Sequence, residues 1–310
     1  MSSRLRGARR FHPDLRTGSR LLPRAAASPR LVPWIRRAIA RMPADPDFVE
    51  TQVSDTAAIR VYRPAHAPTQ SPALLYVHGG GLLIGSPLQD EPALRSIADE
   101  LGVVVATVRY RLAPEHRYPA ARDDCYDALC WLAAQPGIDP ARVAIGGGSA
   151  GGGLAAATAL TARDRNGPAL CLQLLVYPML DDRTAVRPDP NRAYRRLWSN
   201  EANHYGWSSY LGHEPGRPGV DPTAAPSRCE DHSDLPTAWI GVGTLDLFHD
   251  EDLAYAESLR AAGVGCATYV VPGAFHGFDA FAGTPVARDF RASQVDALRS
   301  AFSLREPEPR

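Results

Sequence analysis

Residues 142–151, Arg-Val-Ala-Ile-Gly-Gly-Gly-Ser-Ala-Gly, lead into the Ala-rich run Leu154–Ala157. The apolar residues Val143–Ile145 predict a buried strand and the Ala-rich run predicts a helix, with Ser149 in the turn between them. The turn Gly147–Gly151 has the form G-x-S-x-G, which strains the serine backbone and exposes the hydroxyl above the sheet edge as a nucleophile. Its two flanking glycines let the strand and the helix approach closely. The stretch therefore predicts a nucleophilic serine on a strand-turn-helix unit.

A glycine loop precedes this unit in the chain. His78-Gly79-Gly80-Gly81 follows the apolar run Ala73–Val77, so the loop is predicted at the end of an early strand. A serine nucleophile needs a base, a carboxylate that orients the base, and donors for the oxyanion. The HGGG sequence predicts such donors, because bare backbone N–H groups can point at a reacting carbonyl oxygen.

The base and the carboxylate are predicted from two later strands. Asp246 follows the apolar run Ala238–Gly243, and His276 follows Ala267–Val271. The order Ser149, Asp246, His276 is the one expected for an α/β-hydrolase triad and differs from the orders in chymotrypsin-like and subtilisin-like enzymes. The acidic residues 250–252 compete for the carboxylate role, but Asp246 lies closer to the strand end, and residues 250–252 resemble the acidic first turn of a helix.

Apolar runs alternate with helical patterns through most of the chain, and 310 residues at 45% hydrophobic suffice for one large α/β core. This predicts a mostly parallel, doubly wound sheet with its site at the carboxyl ends of the strands. The predicted strands are Phe48–Val53 and Ile59–Tyr62 as a hairpin, then Leu74–Val77, Val103–Val108, Val143–Ile145 and Leu170–Val176; the predicted helices are 92–101, 121–134 and 150–163.

Six segments together resemble the hormone-sensitive-lipase-like (family IV) bacterial carboxylesterases, over roughly residues 45–303. They are His78–Gly81, Tyr110–Glu115, Tyr118–Ala121, Gly147–Gly152, Asp246 with Asp250-Glu251, and His276–Phe278. The resemblance implies an α/β-hydrolase fold with a helical cap. It also implies Ser149 as nucleophile, His276 as base and Asp246 as the residue that orients it.

The same resemblance implies roles for the glycine-rich segments. The oxyanion donors would be the backbone N–H groups of Gly80, Gly81 and Ala150, and the residues that support the site would be His78, Gly79, Gly147, Gly148 and Gly151. Two positions depart from the family, which usually has Asp before the nucleophile and an aromatic residue after the third glycine of the loop. Here these positions are Gly148 and Leu82. The resemblance therefore implies the family's reaction type for this chain more directly than the family's substrate preference.

Three regions follow from these assignments. Residues 1–45 are predicted as an Arg-rich N-terminal segment with cap helices, 46–177 and 233–310 as the catalytic domain, and 178–232 as the second part of the cap. The predicted pocket residues are Leu82, Trp198, Tyr205, Trp207 and Phe278. Asp181-Asp182, where the chain leaves the sheet, is interpreted as a solvated loop, because it has no His or Glu companions at ligand spacing.

Charge is unevenly distributed although the net charge is zero. Residues 1–41 contain eleven Arg and one acid, Asp14, and 29–42 have the pattern of an amphipathic helix. This segment has three alternative interpretations, which are a mitochondrial-type presequence, a nucleic-acid-binding arm and part of the cap, and the cap is preferred. The chain contains no lysine, which excludes Schiff-base, pyridoxal-phosphate, Walker-type and Ser-Lys chemistry.

The predicted function is a serine carboxylesterase that hydrolyses short-to-medium acyl esters through an acyl-enzyme, with no cofactor and no metal. An amidase or an N-formyl or N-acyl hydrolase with the same triad remains open, as does a non-catalytic small-molecule receptor on the same fold. We expect a small ester as the partner, with no nucleic acid and no stable membrane association, and homodimerisation is left open. Five scattered cysteines and the lack of a signal-peptide core or membrane span predict a cytoplasmic protein.

Overall fold

An eight-stranded sheet crosses the molecule in a computed structural model that describes residues 10–23 and 28–304. Its strands lie in the order β1-β2-β4-β3-β5-β6-β7-β8. Strands β3 to β8 are mutually parallel, whereas β2 runs antiparallel to both of its neighbours. The strands are β1 Val49–Gln52, β2 Ala58–Tyr62, β3 Ser71–Val77, β4 Val104–Arg109, β5 Ile138–Gly148, β6 Leu172–Val176, β7 Ala238–Gly243 and β8 Cys266–Val271.

Helices cover both faces of this sheet. They are α1 Arg16–Leu21, α2 Val32–Ile39, α3 Glu91–Leu101, α4 Ala120–Ala133, α5 Ala150–Asp164, α6 Asn200–Leu211, α7 His249–Ala261 and α8 Pro285–Ala301. Short 3₁₀ turns occur at Pro13–Leu15, Pro87–Gln89, Asp182–Val186, Arg192–Tyr194, Pro226–Arg228 and Phe278–Ala280. The predicted α/β class and the mostly parallel sheet are confirmed.

Two apolar clusters form the core, one on each face of the sheet. Side chains alternate along a strand, so Leu75 on β3 enters the cluster with α4, α5 and α7, and its neighbour Leu74 enters the cluster with α3 and α8. Burial on both faces explains why the sequence of these strands is almost continuously apolar.

Element boundaries differ from the sequence expectation by a few residues. Strand β5 begins at Ile138, five residues before the predicted start. Its first part is polar and includes Asp139 and Arg142, so the apolar pattern did not indicate it. Helix α2 is shorter than the predicted 29–42 and begins at Val32, with Pro33 in its first turn. Within residues 178–232, α6 is the longest regular element; Ser199 caps its first turn and Gly212, in the left-handed conformation, ends it.

Candidate active site

Ser149 lies between the end of β5 and the first residue of α5, and its backbone is strained. Its φ of +58° and ψ of −122° lie outside the regions that non-glycine residues favour. Three backbone hydrogen bonds hold it there: its N–H donates to Val176 O (2.9 Å), and its carbonyl accepts from Gly153 N (3.1 Å) and Met179 N (2.9 Å). The strain is therefore maintained by β6, by the segment after it and by α5.

The turn has no space for side chains at its flanking glycines. A Cβ on Gly147 would lie 2.7 Å from Val77 O, and one on Gly151 would lie 2.6 Å from His78 O and closer still to Val77 O. These neighbours are backbone atoms of β3 and of the loop after it. The elbow and the glycine loop are consequently packed backbone to backbone.

Ser149, His276 and Asp246 form a continuous hydrogen-bonded chain. His276 Nε2 lies 2.9 Å from Ser149 Oγ, and His276 Nδ1 lies 2.9 Å from Asp246 Oδ2. The second carboxylate oxygen, Asp246 Oδ1, accepts the backbone N–H of Phe248 at 3.0 Å. With the Nδ1 proton directed at the carboxylate, Nε2 is free to accept the serine proton.

Aromatic rings fix the plane of the His276 imidazole. Tyr177 and Phe248 contact it edge to face, with ring centroids 4.8 Å and 5.3 Å away, and Trp198 lies 6.4 Å away. All three residues of the hydrogen-bonded chain are buried, so bulk water is largely excluded from it and its hydrogen bonds act at a low local dielectric.

The glycine loop lies directly against this group. Gly79 faces the elbow so closely that a Cβ on it would be 2.8 Å from Gly148 O and 3.5 Å from Ser149 Cβ. Gly80 and Gly81 have φ values of +126° and +62°, which glycine adopts readily. Among the residues that the structure describes, none accepts a hydrogen bond from the N–H groups of Gly80, Gly81 or Ala150. Such free amides beside the serine are suited to bind an anionic oxygen.

His78 is fixed beneath the loop. Its ring stacks on Tyr110 with centroids 4.2 Å apart, and its Nδ1 lies 2.9 Å from Gly79 O. Tyr110 Oη donates to His78 O at 2.9 Å. Burial lowers the pKa of His78 to about 4, so the imidazole is neutral at pH 7 and its Nδ1–H donates to the carbonyl.

The structure brings together most of the predicted pocket residues. Trp198 lies over Gly81, where a Cβ would be 2.7 Å from its Cζ2 atom, and its Nε1–H donates to Asn203 Oδ1. Leu82, Trp198 and Trp207 belong to one buried cluster. Tyr205, on α6, lines a separate groove of about 390 Å³ against α2.

Phe278 lies elsewhere and is a correction to the predicted pocket. It is fully buried in the cluster on the opposite face of the sheet, 4.8 Å from the ring of Phe290 on α8. The 3₁₀ turn that begins at Phe278, directly after His276-Gly277, directs this side chain into the core.

The interpretation of Asp181-Asp182 as a solvated loop is wrong. Both residues are buried. Asp181 pairs with Arg183 (2.7 Å) and Arg187 (3.1 Å), and Asp182 pairs with Arg228 (2.8 Å). Sequence reasoning did not anticipate the Asp182–Arg228 pair because its partners lie 46 residues apart.

A buried ion pair that the sequence analysis missed anchors the segment before α6. Arg195 Nη2 lies 2.7 Å from Asp189 Oδ1, and Arg195 Nη1 donates to Leu245 O at 2.9 Å. Leu245 immediately precedes Asp246. The guanidinium thus links residues 189–195 to the loop that carries the carboxylate of the hydrogen-bonded chain.

Two further carboxyl groups are buried at the start of α7. Glu251 Oε1 accepts the N–H groups of Leu180 (2.7 Å) and Asp181 (3.1 Å), and burial raises the pKa of Glu251 to about 8. Burial also raises the pKa of Asp252 well above its ordinary value, and the carboxylates of Glu251 and Asp246 add to that shift. The predicted acidic first turn of a helix is confirmed for residues 250–252, with Asp250 96% exposed and its two neighbours buried.

The described residues contain neither a metal-binding cluster nor a membrane-spanning helix. Residues 10–23 and 28–304 hold no group of three or more His, Cys, Asp or Glu that could bind a metal ion. No helix in those ranges is long and apolar enough to cross a membrane. The five cysteines are free thiols.

A strained serine after the central strand, a histidine and an aspartate from two later strands, and a glycine loop beside them define an α/β-hydrolase. A family model described as alpha/beta hydrolase fold matches residues 74–280. Esterase LipI of Mycobacterium tuberculosis is 34% identical over 86% of this chain and 87% of its own length, and carboxylesterase NlhH of the same organism is 35% identical over 79% and 78%. A solved structure titled bacterial heroin esterase is 34% identical, has a TM-score of 0.86 and covers 96% of this chain and 99% of its own.

The chain belongs to the hormone-sensitive-lipase-like bacterial carboxylesterases of the α/β-hydrolase family. The resemblance inferred from its motifs is confirmed, and the protein is a carboxylic ester hydrolase.

Proposed function

We propose that Ser149, His276 and Asp246 are the catalytic triad of a serine carboxylesterase that acts on short-to-medium acyl esters. The observation that carries this proposal is the continuous chain of two 2.9 Å hydrogen bonds from Asp246 through His276 to a strained, loop-facing Ser149. Such a chain has the geometry required of a nucleophile, its base and the group that orients the base.

Acylation begins when Ser149 Oγ attacks the ester carbonyl carbon and His276 Nε2 removes the hydroxyl proton. The carbonyl oxygen becomes an oxyanion, which binds the N–H groups of Gly80, Gly81 and Ala150. His276 then protonates the alkoxide as the C–O bond breaks, and the alcohol leaves. Asp246 remains ionised throughout and stabilises the imidazolium that forms at His276.

Deacylation repeats these steps with water. His276 takes a proton from the water as it attacks the acyl carbon, and the same N–H groups bind the second oxyanion. Return of that proton to Ser149 Oγ breaks the acyl-serine bond and releases the carboxylic acid. Each proton taken up is given back, so no cofactor is required.

We further propose that residues 1–45 and 178–232 form a cap over a catalytic domain of 46–177 and 233–310. Trp198 supports this division, because it comes from the second segment and covers the glycine loop. A bulky ring at this point limits the space beside the oxyanion site and favours short-to-medium acyl groups. An ethyl acetate hydrolase of Pseudomonas putida, 36% identical over 77% of this chain, is consistent with small esters.

An amide substrate is the second candidate, and a relative favours it. Arylacetamide deacetylase of Oryctolagus cuniculus is 31% identical over 71% of this chain. The same triad and oxyanion donors would serve an amide, with His276 protonating the leaving amine. A cytoplasmic location and a homodimer stay predictions, as does the absence of a nucleic-acid partner.

The test is hydrolysis of p-nitrophenyl esters from acetate to laurate, together with the matching p-nitroanilides. Ser149→Ala should lower kcat by a factor on the order of 10⁴ or more. Ser258→Ala is the matched control, because this exposed serine on α7 bonds to the carbonyl of Ala254 in its own helix. A phosphonate inhibitor should label the wild type once, on the peptide that contains Ser149.

Equal activity of the Ser149 variant and the wild type would refute the triad. A wild-type enzyme that cleaves anilides faster than esters would replace the ester assignment with the amide one. Binding of an ester without turnover by the wild type would support the receptor alternative.

A further inference from the structure

Exposed apolar side chains concentrate near the N-terminus of the described chain. Of the large hydrophobic residues exposed within residues 10–23 and 28–304, four precede residue 43: Leu21, Leu31, Trp34 and Met42. Leu21 is 82% exposed and Trp34 is 69% exposed, although both side chains are large enough to contribute substantially to a core. Leu31 and Trp34 lie three residues apart at the start of α2, and exposed apolar residues that adjoin one another mark an interaction surface more often than residues scattered singly.

Helix α2 presents two different faces. Its inner face carries Val32, which is buried, and Arg36, which donates to Leu83 O at 2.7 Å and pairs with Glu115 at 2.7 Å. The outer face is formed by Trp34 and Arg37 of α2 together with Arg30 and Arg41, which lie in the turns directly before and after the helix; their spacing is four, three and four residues. All four outer side chains are exposed, so α2 is anchored by one face and leaves the other to solvent.

The outer face combines an aromatic ring with positive charge. The Arg37 guanidinium lies 5.3 Å from the centroid of the Trp34 ring, and Arg41 donates to the carbonyl of Arg37. Residues 28–44 contain four Arg and no Asp or Glu until Asp45. Within the part of the chain that the structure describes, no carboxylate pairs with Arg30, Arg37 or Arg41.

The charge of the outer face is part of a larger asymmetry. Residues 1–41 carry about +10 by composition in a chain whose net charge is zero, so the remainder carries a matching negative excess. An anionic surface attracts exposed arginines that no carboxylate neutralises. The attraction operates within a Debye length, about 8 Å at physiological ionic strength.

We propose that the outer face of α2, together with Leu31, docks reversibly on an anionic phospholipid surface. Trp34 and Leu31 would lie at the boundary between headgroups and acyl chains, where tryptophan is enriched, and the three arginines would contact lipid phosphates. A second copy of the chain is disfavoured as occupant, because an isologous contact would bring two equally basic faces together. The small apolar area makes the association weak and salt-dependent.

Docking at this place would bring a groove near the proposed active site to the lipid surface. Arg37 also lines the groove of about 390 Å³ between α2 and Tyr205 of α6. Tyr205 is followed by Gly206, which packs on Gly81 O, and Arg36 contacts Leu83 O two residues after Gly81. The groove therefore adjoins the glycine loop, and apolar esters dissolved in a bilayer would reach it without crossing bulk water. This last step rests on the proposed function, whereas the docking itself does not.

The experiment is co-sedimentation of the full chain with vesicles of pure phosphatidylcholine and of phosphatidylcholine with 30% phosphatidylglycerol. We expect binding to the anionic vesicles that weakens as NaCl rises from 50 to 300 mM. Arg30→Ser/Arg37→Ser/Arg41→Ser should lower the partition coefficient on the order of 100-fold, about fivefold for each arginine. Trp34→Ser should also weaken binding and should remove a blue shift of the emission seen with the wild type.

A charge-matched control variant, Arg63→Ser/Arg217→Ser/Arg288→Ser, removes three exposed arginines outside α2 and should bind as the wild type does. Thermal unfolding checks that both triple variants fold. Equal binding to the two vesicle types, or wild-type binding by the α2 variant, would overturn the proposal. Binding of the wild type to soluble polyglutamate at low salt, without binding to either vesicle type, would overturn the proposal and point to an acidic protein instead.

Ser149→Ala separates the two proposals, because it should dock like the wild type while losing ester hydrolysis. If the wild type docks but hydrolyses no ester, the proposed function fails and the docking surface stands. If it hydrolyses esters but does not dock, the reverse holds.

Discussion

Replacing Gly151 with alanine tests whether the close approach of α5 to β3 shapes the catalytic turn. The new Cβ would lie 2.6 Å from His78 O and closer still to Val77 O, both of which are backbone atoms that cannot rotate away. Overpacking of a well-packed interior costs typically 1–3 kcal/mol, and a clash with backbone on two sides belongs at the upper end, so we expect a loss of about 3 kcal/mol. For a chain of this size the midpoint of thermal unfolding should fall by roughly 5 °C.

Gly148→Ala is the matched control in the same turn. Its Cβ would meet the Tyr76 hydroxyl at 3.3 Å and Tyr177 at 3.8 Å, and both are side-chain atoms. The loss of unfolded-state entropy stabilises the fold by about 0.4–1 kcal/mol, which a small shift of Tyr76 offsets. The free energy of unfolding should therefore change by less than about 1 kcal/mol.

Urea unfolding at pH 7 measures both variants against the wild type, with kcat for p-nitrophenyl acetate measured in parallel. Gly151→Ala should also lower kcat, because the atoms it displaces belong to the start of the glycine loop. Two results would refute the reasoning. In the first, Gly151→Ala unfolds at the wild-type urea concentration with kcat intact. In the second, Gly148→Ala destabilises as much as Gly151→Ala, which would show that the loss does not come from the backbone contact at Gly151.

Three further predictions concern buried groups around the site. Arg195→Leu leaves the Asp189 carboxylate buried without its partner and should lower the free energy of unfolding by about 3–5 kcal/mol. Adding Asp189→Asn should recover most of this loss, as measured by chemical denaturation. If the double variant recovers nothing, the buried-charge argument is contradicted. The pKa of Glu251 in the folded protein is about 8, above its ordinary value of 4.5. The stability of the wild type should therefore decline as pH rises from about 5 to 8, and the stability of Glu251→Gln should decline less. Melting temperatures of the two proteins that run parallel across that range would contradict this. Trp198→Ala uncovers the glycine loop and should shift the preferred p-nitrophenyl ester towards longer acyl chains, and an unchanged chain-length profile would exclude Trp198 as a limit on the pocket.

Local sequence could predict the parts of the site that depend on local geometry. The turn at Ser149 and the loop at His78–Gly81 are each specified by a few consecutive residues, because glycine is required where backbones meet or φ is positive. Asp246 and His276 could be placed because each follows an apolar run, and the carboxyl ends of parallel strands meet at one edge of the sheet. Chain order and the positions of the strand ends were thus sufficient to predict that these three distant residues lie together.

Contacts made by long side chains across the sequence could not be predicted in this way. Arg195 reaches Leu245 O, 50 residues away, and Arg36 reaches Leu83 O, 47 residues away. Neither contact is indicated by a periodicity of the sequence or by the spacing of a motif. A segment rich in Pro, Asp and Arg is usually solvated, so no buried contact was expected there. Phe278 was misplaced for a related reason, since its neighbour in sequence, His276, faces the site while a one-turn helix directs Phe278 to the core.

The lack of lysine acquires a structural meaning from these contacts. Arg36 donates to both oxygens of Glu115 and to the carbonyls of Leu83 and Ala113, while Arg195 donates to Asp189 and to the carbonyl of Leu245. A guanidinium can hold a carboxylate and a carbonyl at once because its five N–H donors form a planar fork, whereas an ammonium group is a compact point charge. Each arginine fixes a segment outside the sheet to a loop near the proposed catalytic group: Arg36 fixes α2 to the residues directly after the glycine loop, and Arg195 fixes the segment before α6 to the loop that carries Asp246. The segments proposed as the cap are therefore attached to the site by hydrogen bonds from guanidinium groups as well as by apolar packing. Their position is consequently sensitive to the loss of single hydrogen-bond donors.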